Sequence, residues 1–400
     1  MKGKQGLLYI SYDGVLEPLG QSQVLSYQEQ LANSAELHLL SFEKAEDWSD
    51  ESARNALTRR IHKAGIHWHP RRYHKRPSAL ATAYDIMAGI VTGLWIVLRH
   101  HIDVVHARSY VAGVIALALK KLTGARFVFD MRGFWADERV DGGLWPRGGR
   151  MFRIAKWFER QLLTNADHVI SLTHAAVREM EKFPYLADRM PPVSVIPTCA
   201  DLSRFRPQEQ DQGGSFMLGY VGSAGTWYEF DAVVACFLEL RRLKPDARFL
   251  IINRNEHDYI RERLLAGGVP LEAVELRAAS HEEVPAQIGR MHASVFFIKP
   301  LFSKQASAPT KLGELLGCGI PCLANSRVGD MAEILENEQV GVALDDFDPA
   351  SLRTGLERLL HLVGTEGIDA RCVAAARKHF SLAEGVERYA AVYSKLAVTR

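Results

Sequence analysis

The run Ala306-Ser307-Ala308-Pro309-Thr310-Lys311-Leu312-Gly313-Glu314, continued by LLGCGIPCLA to Ala324, decides how the chain is read. It has the form of a loop entering a helix, then a turn at Gly319 and a short apolar strand. Pro309 fits the first helical position, where a missing N–H is not felt. Ser307, Thr310, the free N–H groups of the first turn and the Lys311 ammonium together suit an anion. Glu314 follows one turn later, about 5 Å along the axis, where a carboxylate accepts hydrogen bonds from hydroxyls. A cation and a carboxylate so spaced match the phosphate and the ribose of a nucleoside diphosphate. An ordinary amphipathic helix with a Lys/Glu pair on its solvent face matches these residues equally well, so the rest of the chain must decide.

Outward from this run, short apolar strands alternate with helical segments, the pattern of parallel-sheet α/β domains. LLYISY, ELHLLSF, Gly65 to Trp68, IDVVHAR, ARFVFDMR, HVISLTH and VSVIP predict seven strands of one doubly wound domain over 1–197. Residues 198–215, rich in proline, charge and glycine without periodicity, read as a linker. A second alternation over 216–380 runs through FMLGYVG, RFLIIN, AVELRA, SVFFI, IPCLAN and VGVAL, and 381–400 is an amphipathic C-terminal helix. Two such domains predict ligand binding at the carboxyl ends of their strands, across a cleft.

Bulk properties narrow the class. The chain has 400 residues, 47% hydrophobic and 24% charged, which is ordinary for a soluble protein, and its net charge of +2 implies no nucleic-acid partner. Five cysteines show neither metal-ligand spacing nor a disulfide framework, which places the chain in a reducing, cytoplasmic compartment. The N-terminal residues read as a strand rather than a signal peptide. Residues 79–98 are long enough to span a bilayer. Leu80, Tyr84, Met87, Val91, Leu94 and Leu98 fall on one stripe, however, with Thr82, Asp85, Gly89 and Thr92 on or near the other side. That division predicts a core helix burying the apolar stripe. Residues 54–76 carry eight Lys/Arg, four His and no acid. They read either as a solvated basic loop or, with 79–98, as a patch for anionic lipid over 54–101. His67 and His69 beside Trp68 hint at a metal, but Arg71 and Arg72 argue against one, and no metal site is expected.

Residues that follow strands carry the remaining chemistry. Gly222-Ser223-Ala224-Gly225-Thr226 follows a strand and lets backbone approach a phosphate, without the Gly-x-Gly-x-x-Gly spacing or the acidic residue that an NAD site uses. Gly20, Arg108 and Arg254 also fall at strand ends or in the first loop. Asp130-Met131-Arg132-Gly133-Phe134-Trp135 is either a polar site with an aromatic wall or an Asp–Arg pair closing a loop. His106 is either a core histidine or a site residue. No Ser-His-Asp order and no His/Cys cluster supports a hydrolase or metalloenzyme.

These features resemble the retaining glycosyltransferases of the GT-B fold, glycosyltransferase family 4, over nearly the whole chain. The resemblance rests on Gly20, Asp103-Val104-Val105-His106, Ile196-Pro197 with Asp201 and Phe205, Tyr220-Val221-Gly222, and most of all Pro309 to Glu314 followed by Gly319-Ile320-Pro321. It implies two Rossmann-like domains, the second binding a UDP- or GDP-sugar and the first the acceptor, with the last helix crossing back to the first domain. Glu314 resembles the second glutamate of the family's Glu-x7-Glu motif, and the first falls at Ala306, where it is missing. The family's Arg and Lys after the second domain's first strand are not apparent, and Lys311 with Arg254 would carry the phosphate charge. The expected donor-binding residues are therefore Gly20, Gly222, Gly225, Thr226, Arg254, Ser307, Pro309, Thr310, Lys311 and Glu314. His106, Asp130, Arg132 and Glu314 are the expected catalytic residues. The implied activity is metal-independent sugar transfer with retention to a glycan or lipid-linked acceptor, in cell-surface polysaccharide synthesis at the membrane face. A non-catalytic binding or scaffolding member and a nucleotide-sugar epimerase are the alternatives.

Overall fold

A computed structural model describes residues 4–208, 214–280 and 282–397. The middle of the expected linker, 209–213, lies outside the described residues. The chain forms two compact units: Met1–Ile196 with Gly385–Arg400, and Pro197–Glu384.

In the first unit seven strands form one sheet. They are β1 (Gln5–Ser11), β2 (Ala35–Glu43), β3 (His67–Arg72), β4 (Val104–Arg108), β5 (Arg126–Asp130), β6 (His168–Ser171) and β7 (Val193–Val195). Their order is β3-β2-β1-β4-β5-β6-β7, every pair parallel, so the order reverses between β1 and β4. β3 lies farther along the chain than the sequence indicates, because Gly65 takes a left-handed turn (φ 73°) and the extended run starts only at His67. The second unit's strands are β8 (Met217–Val221), β9 (Arg248–Ile252), β10 (Val274–Arg277), β11 (Ala293–Val295), β12 (Cys322–Asn325) and β13 (Gly341–Leu344). These make a six-stranded parallel sheet, β10-β9-β8-β11-β12-β13, which reverses between β8 and β11. In open parallel sheets such reversals open a crevice at the strands' carboxyl ends. Arg108 and Asp130 sit there in the first sheet and Gly222 in the second.

The Ser78–His100 helix corrects the amphipathic reading of 79–98. Its buried positions are Ala81, Asp85, Gly89, Gly93, Ile96 and Val97, while Leu80, Tyr84, Met87, Val91, Trp95 and Leu98 are 56–71% exposed. The helix is long and apolar enough to cross a membrane, yet its small-residue side lies against the unit's core. A Cβ on Gly89 would come within 2.5 Å of Ile115, and one on Gly93 within 2.7 Å of Leu119, so the two glycines permit the close approach. Asp85 is buried because the fold supplies partners. The Tyr12 hydroxyl (2.9 Å) and the His74 backbone N–H (3.0 Å) and Nδ1 (2.6 Å) all donate to its carboxylate. A hydrogen-bonded buried carboxylate is tolerated where an orphaned one is not.

Replacing Gly89 by Val inserts methyl groups into a filled contact and is expected to destabilise the chain by about 1–3 kcal/mol. Replacing Leu80, Met87 and Val91 together by Ser is expected to change stability by less than about 0.5 kcal/mol per site. Urea denaturation of both variants checks the inverted orientation; equal losses would contradict it.

Candidate functional site

In the second unit the site is built on Lys311. Pro309 caps the Thr310–Gly317 helix instead of opening it. Its φ of −66° is helical but its ψ of 119° is extended, so the first helical residue is Thr310, and the expectation for Pro309 is corrected by one position. The preceding loop is fixed by Asn325, which accepts the Ile298 N–H (2.8 Å) and donates to the Ile298 carbonyl (2.9 Å). The Ser307 N–H is used within the loop, donating to the Lys304 carbonyl at 3.1 Å. Ser307 and Thr310 are half-buried beside the helix start, and Ala306 is buried where the resemblance places a glutamate.

The Lys311 side chain turns inward and is only 9% exposed, and its ammonium has no hydrogen-bond partner among the described residues. Aromatic faces surround it: Tyr228 at 4.1 Å, Tyr220 at 5.1 Å and Phe296 at 5.4 Å. Ring quadrupoles attract the cation but leave its donors open. Gly222 (φ 100°) closes the other side, where a Cβ would stand 3.1 Å from Nζ. Any other residue at this turn would combine a strained backbone with a crowded ammonium. A buried, unpaired ammonium is costly unless an anion completes it. Glu314, one turn along, is half-buried, and burial pushes its carboxyl up to about 7 against the opposing pull of Lys311 and Arg204.

The glycine loop corrects a second expectation. The N–H groups of Ala224 and Gly225 donate to Glu256, each at 2.9 Å, and so are occupied by an internal carboxylate. Asn253 Nδ2 donates both to Glu256 (2.9 Å) and to the Gly222 carbonyl (3.0 Å). Burial works to raise the Glu256 carboxyl, but these donors outweigh it and hold it below the ordinary range. Gly225 is needed for this contact, since a Cβ there would lie 2.8 Å from Glu256 Oε1. Thr226 takes a positive φ of 35° in the same turn. Arg254 is exposed after β9, and among the described residues no hydrogen bond or ion pair ties it to Lys311 or Glu314. Sequence reading missed Glu256, Asn253 and Tyr228. Only the register of β8 beside β9 brings the first two under the loop.

In the first unit, His106, Arg108, Asp130 and Arg132 meet at the carboxyl ends of β4 and β5. The register pairs Arg108 with Asp130 and Tyr9 with His106. His106 and Asp130 are fully buried, 3.6 Å apart, beneath side chains from the Leu382–Ala397 helix. Tyr389 donates to Asp130 Oδ2 at 3.1 Å, and the Tyr393 hydroxyl meets His106 Nδ1 at 2.8 Å. Tyr9 stacks on the His106 ring at 4.4 Å. Both residues are therefore closed off from solvent and can position neighbours. Burial lowers His106, with Asp130 opposing. Burial would raise Asp130, yet Arg132 first, and then His106 and Arg108, hold it down. Asp130 lies 3.9 Å from the Arg132 guanidinium, whose residue takes a left-handed backbone (φ 59°), a strain found where the surroundings impose a geometry. Arg108 is buried, its Nε lies 3.9 Å from Asp13 Oδ2, and neither Nε nor Nη1 makes a hydrogen bond among the described residues. Gly20 serves packing here: it is buried in a helical turn where a Cβ would fall 2.0 Å from the Gly14 carbonyl oxygen.

Residues 21–197 match the model of the glycosyl transferase 4-like domain, and 203–379 match that of glycosyl transferases group 1. No curated protein matches the chain in sequence. Among solved structures, a glycosyltransferase from Rickettsia africae is similar at 13% identity and TM-score 0.74, covering 100% of both chains. Sucrose-phosphate synthase from Thermosynechococcus elongatus is similar at 12% identity and TM-score 0.74, covering 99% of this chain and 100% of that one. Anabaena Alr3699/HepE in complex with UDP is similar at 13% identity and TM-score 0.68, covering 98% and 100%. At these identities the likeness concerns the fold: two Rossmann-like domains of the GT-B type.

The Glu314 carboxyl has a folded-state value near 7, above the ordinary 4.5, so its contribution to stability is present below pH 4.5 and lost as pH rises through 7. Glu314→Gln is therefore expected to stabilise the ligand-free chain at pH 8 by on the order of 1–3 kcal/mol, and not at low pH. Urea denaturation at both pH values checks the sign.

Proposed function

The chain belongs to the group 1 glycosyltransferases, and we propose that it transfers a sugar, with retention, from a UDP- or GDP-sugar to a glycan or lipid-linked acceptor. The observation that carries this reading is the buried Lys311 ammonium, unpartnered and pressed against Gly222. The departing nucleoside diphosphate gains negative charge as the glycosidic bond breaks, and a preorganised cation in a water-poor site stabilises that charge. Lys311 and the open N–H groups of the Thr310–Gly317 helix take this role. Glu314, as a carboxylate, accepts the ribose hydroxyls. The charge needed at the phosphate is supplied by Lys311, so the proposed reaction runs without a metal. In a front-side transfer the leaving phosphate takes the acceptor's proton, and no enzymic nucleophile is required. Arg108 and Arg132, set by Asp130 and His106, offer donors for a hydroxylated or anionic acceptor.

The acceptor side is read from the Ser78–His100 helix. Its outward face presents Leu80, Tyr84, Met87, Val91, Trp95 and Leu98. Exposed Lys75 and Arg76 precede it, Arg99 lies in its last turn, and Arg71 and Arg72 are exposed on β3. An apolar helix face flanked by cations suits the interface of an anionic bilayer. The protein is proposed to work there as a peripheral enzyme at the cytoplasmic face, extending a lipid-linked precursor of a cell-surface polysaccharide.

Two measurements test this. In a panel of UDP- and GDP-sugars, at least one is expected to bind and to release nucleotide with an acceptor. Lys311→Ala is expected to slow transfer by about 10²–10³-fold, the scale of losing one charge-stabilising donor. Glu314→Ala is expected to weaken nucleotide binding tenfold or more. A folded chain that binds no nucleotide sugar contradicts the reading. In flotation with anionic vesicles, binding is expected to fall with salt and to be lost in the Leu80/Met87/Val91→Ser variant.

A further inference from the structure

Away from the candidate site, at the amino end of the first unit's sheet, β2 and the Ser78–His100 helix bring a second set of polar groups together. Glu36 and His38 are two residues apart on β2 and so lie on one face. His100 ends the helix, just before His101 turns left-handed (φ 51°). One ligand atom from each of Glu36, His38 and His100 falls within 4.8 Å of the others. His67 on β3 is in register with His38, and the two rings stack at 4.6 Å, while the His100 ring lies 4.3 Å from that of His38.

His38 carries the argument. It is fully buried, and among the described residues its Nε2 has no hydrogen-bond partner, although Glu36 stands 3.7 Å away. A buried polar nitrogen left unbonded is destabilising and asks for an explanation. The other ring nitrogen is occupied, with His38 Nδ1 lying 3.1 Å from His69 Nε2. When Nδ1–H donates to His69, the lone pair is left on Nε2, which lies 3.7 Å from Glu36. This is the arrangement in which a metal-bound imidazole is oriented by a partner on its far nitrogen.

We propose that Glu36, His38 and His100 bind a divalent transition-metal ion of the zinc class, with His69 as the orienting partner of His38 and water in the fourth position. Two imidazoles and one carboxylate suit zinc, whereas magnesium and calcium prefer all-oxygen sets. Zn–N and Zn–O bonds of about 2.0–2.2 Å require ligand atoms roughly 3.4 Å apart. Glu36, which is exposed, and His100, which is half-buried, close the remaining distance by side-chain rotation. The site lies at the opposite end of the strands from Arg108 and Asp130, so its role is structural or regulatory. It ties the helix that carries the apolar face to β2. His67 and His69 alone, beside Arg71 and Arg72, gave no sign of this, because His38 and His100 come from distant parts of the sequence. The two arginines lie at the far end of β3.

The test uses the untagged full chain, stripped with a chelator. Zinc titration by calorimetry is expected to show one equivalent bound at micromolar affinity or tighter. Cobalt is expected to give the visible absorption of a four-coordinate nitrogen/oxygen site, and zinc to raise the melting temperature. The Glu36→Gln variant alters an exposed side chain and the His100→Gln variant a half-buried one, and the melting temperature of the Glu36→Gln variant in chelator should equal that of the parent. Each is expected to weaken zinc binding at least tenfold. Absence of stoichiometric binding to the parent chain overturns the proposal, as does affinity unchanged in both variants.

Discussion

A charge held out of water without a counter-charge is the constraint on which the second unit depends. The Lys311 ammonium is surrounded by Tyr220, Tyr228 and Phe296 and by the bare backbone of Gly222. Aromatic faces make that burial bearable without satisfying the cation, which retains its attraction for a phosphate. Glu314 repeats the pattern with opposite sign, since burial leaves its carboxyl half-protonated near neutrality. Neither residue is placed for the stability of the empty fold. Under the proposed reading both await a ligand, the usual tension between a working site and a maximally stable one.

The first unit handles charge differently. Asp130, His106, Tyr389 and Tyr393 satisfy one another out of solvent, and Arg132 is anchored by that network in a strained backbone. Here the polar core acts as a frame, and the guanidinium groups of Arg108 and Arg132 are its proposed functional edge. Polar networks of this kind specify one arrangement only when nearly every member is paired. Among the described residues His106 Nε2, Asp130 Oδ1 and Arg108 Nε and Nη1 make no hydrogen bond, although Arg108 Nε lies 3.9 Å from Asp13, and under the proposed reading they face the ligand.

Both sheets were legible in the sequence because fully buried parallel strands are short unbroken apolar runs, and helices separate them. Gly222, Asp130 and Arg132 stood out as residues that follow strands, which the fold confirms, while Lys311 stood out from the loop-to-helix pattern around it and does lie in the first turn of that helix. Three readings failed for a common reason: the sequence carries no information on what lies opposite a residue. The Ser78–His100 stripe has the periodicity of a core face, but Gly89 and Gly93 decide which face can approach the core. The Gly222–Thr226 amides looked free because Glu256, which takes two of them, is some thirty residues away. Tyr389 and Tyr393 gave no signal beyond an amphipathic helix, since their partners His106 and Asp130 are hundreds of residues earlier.

That last pairing bears on how the chain is made. The first unit takes in Met1–Ile196 and then, after all of Pro197–Glu384, the residues from Gly385 onward. During synthesis its sheet emerges early, but Asp130 and His106 lack their tyrosine cover until Tyr389 and Tyr393 have left the ribosome. A whole second unit is therefore translated while the first stands incomplete, with a buried carboxylate and imidazole waiting for partners. In topological terms the second unit is an insertion within the first, and a chain stopped anywhere before Tyr389 cannot finish the unit with which it began.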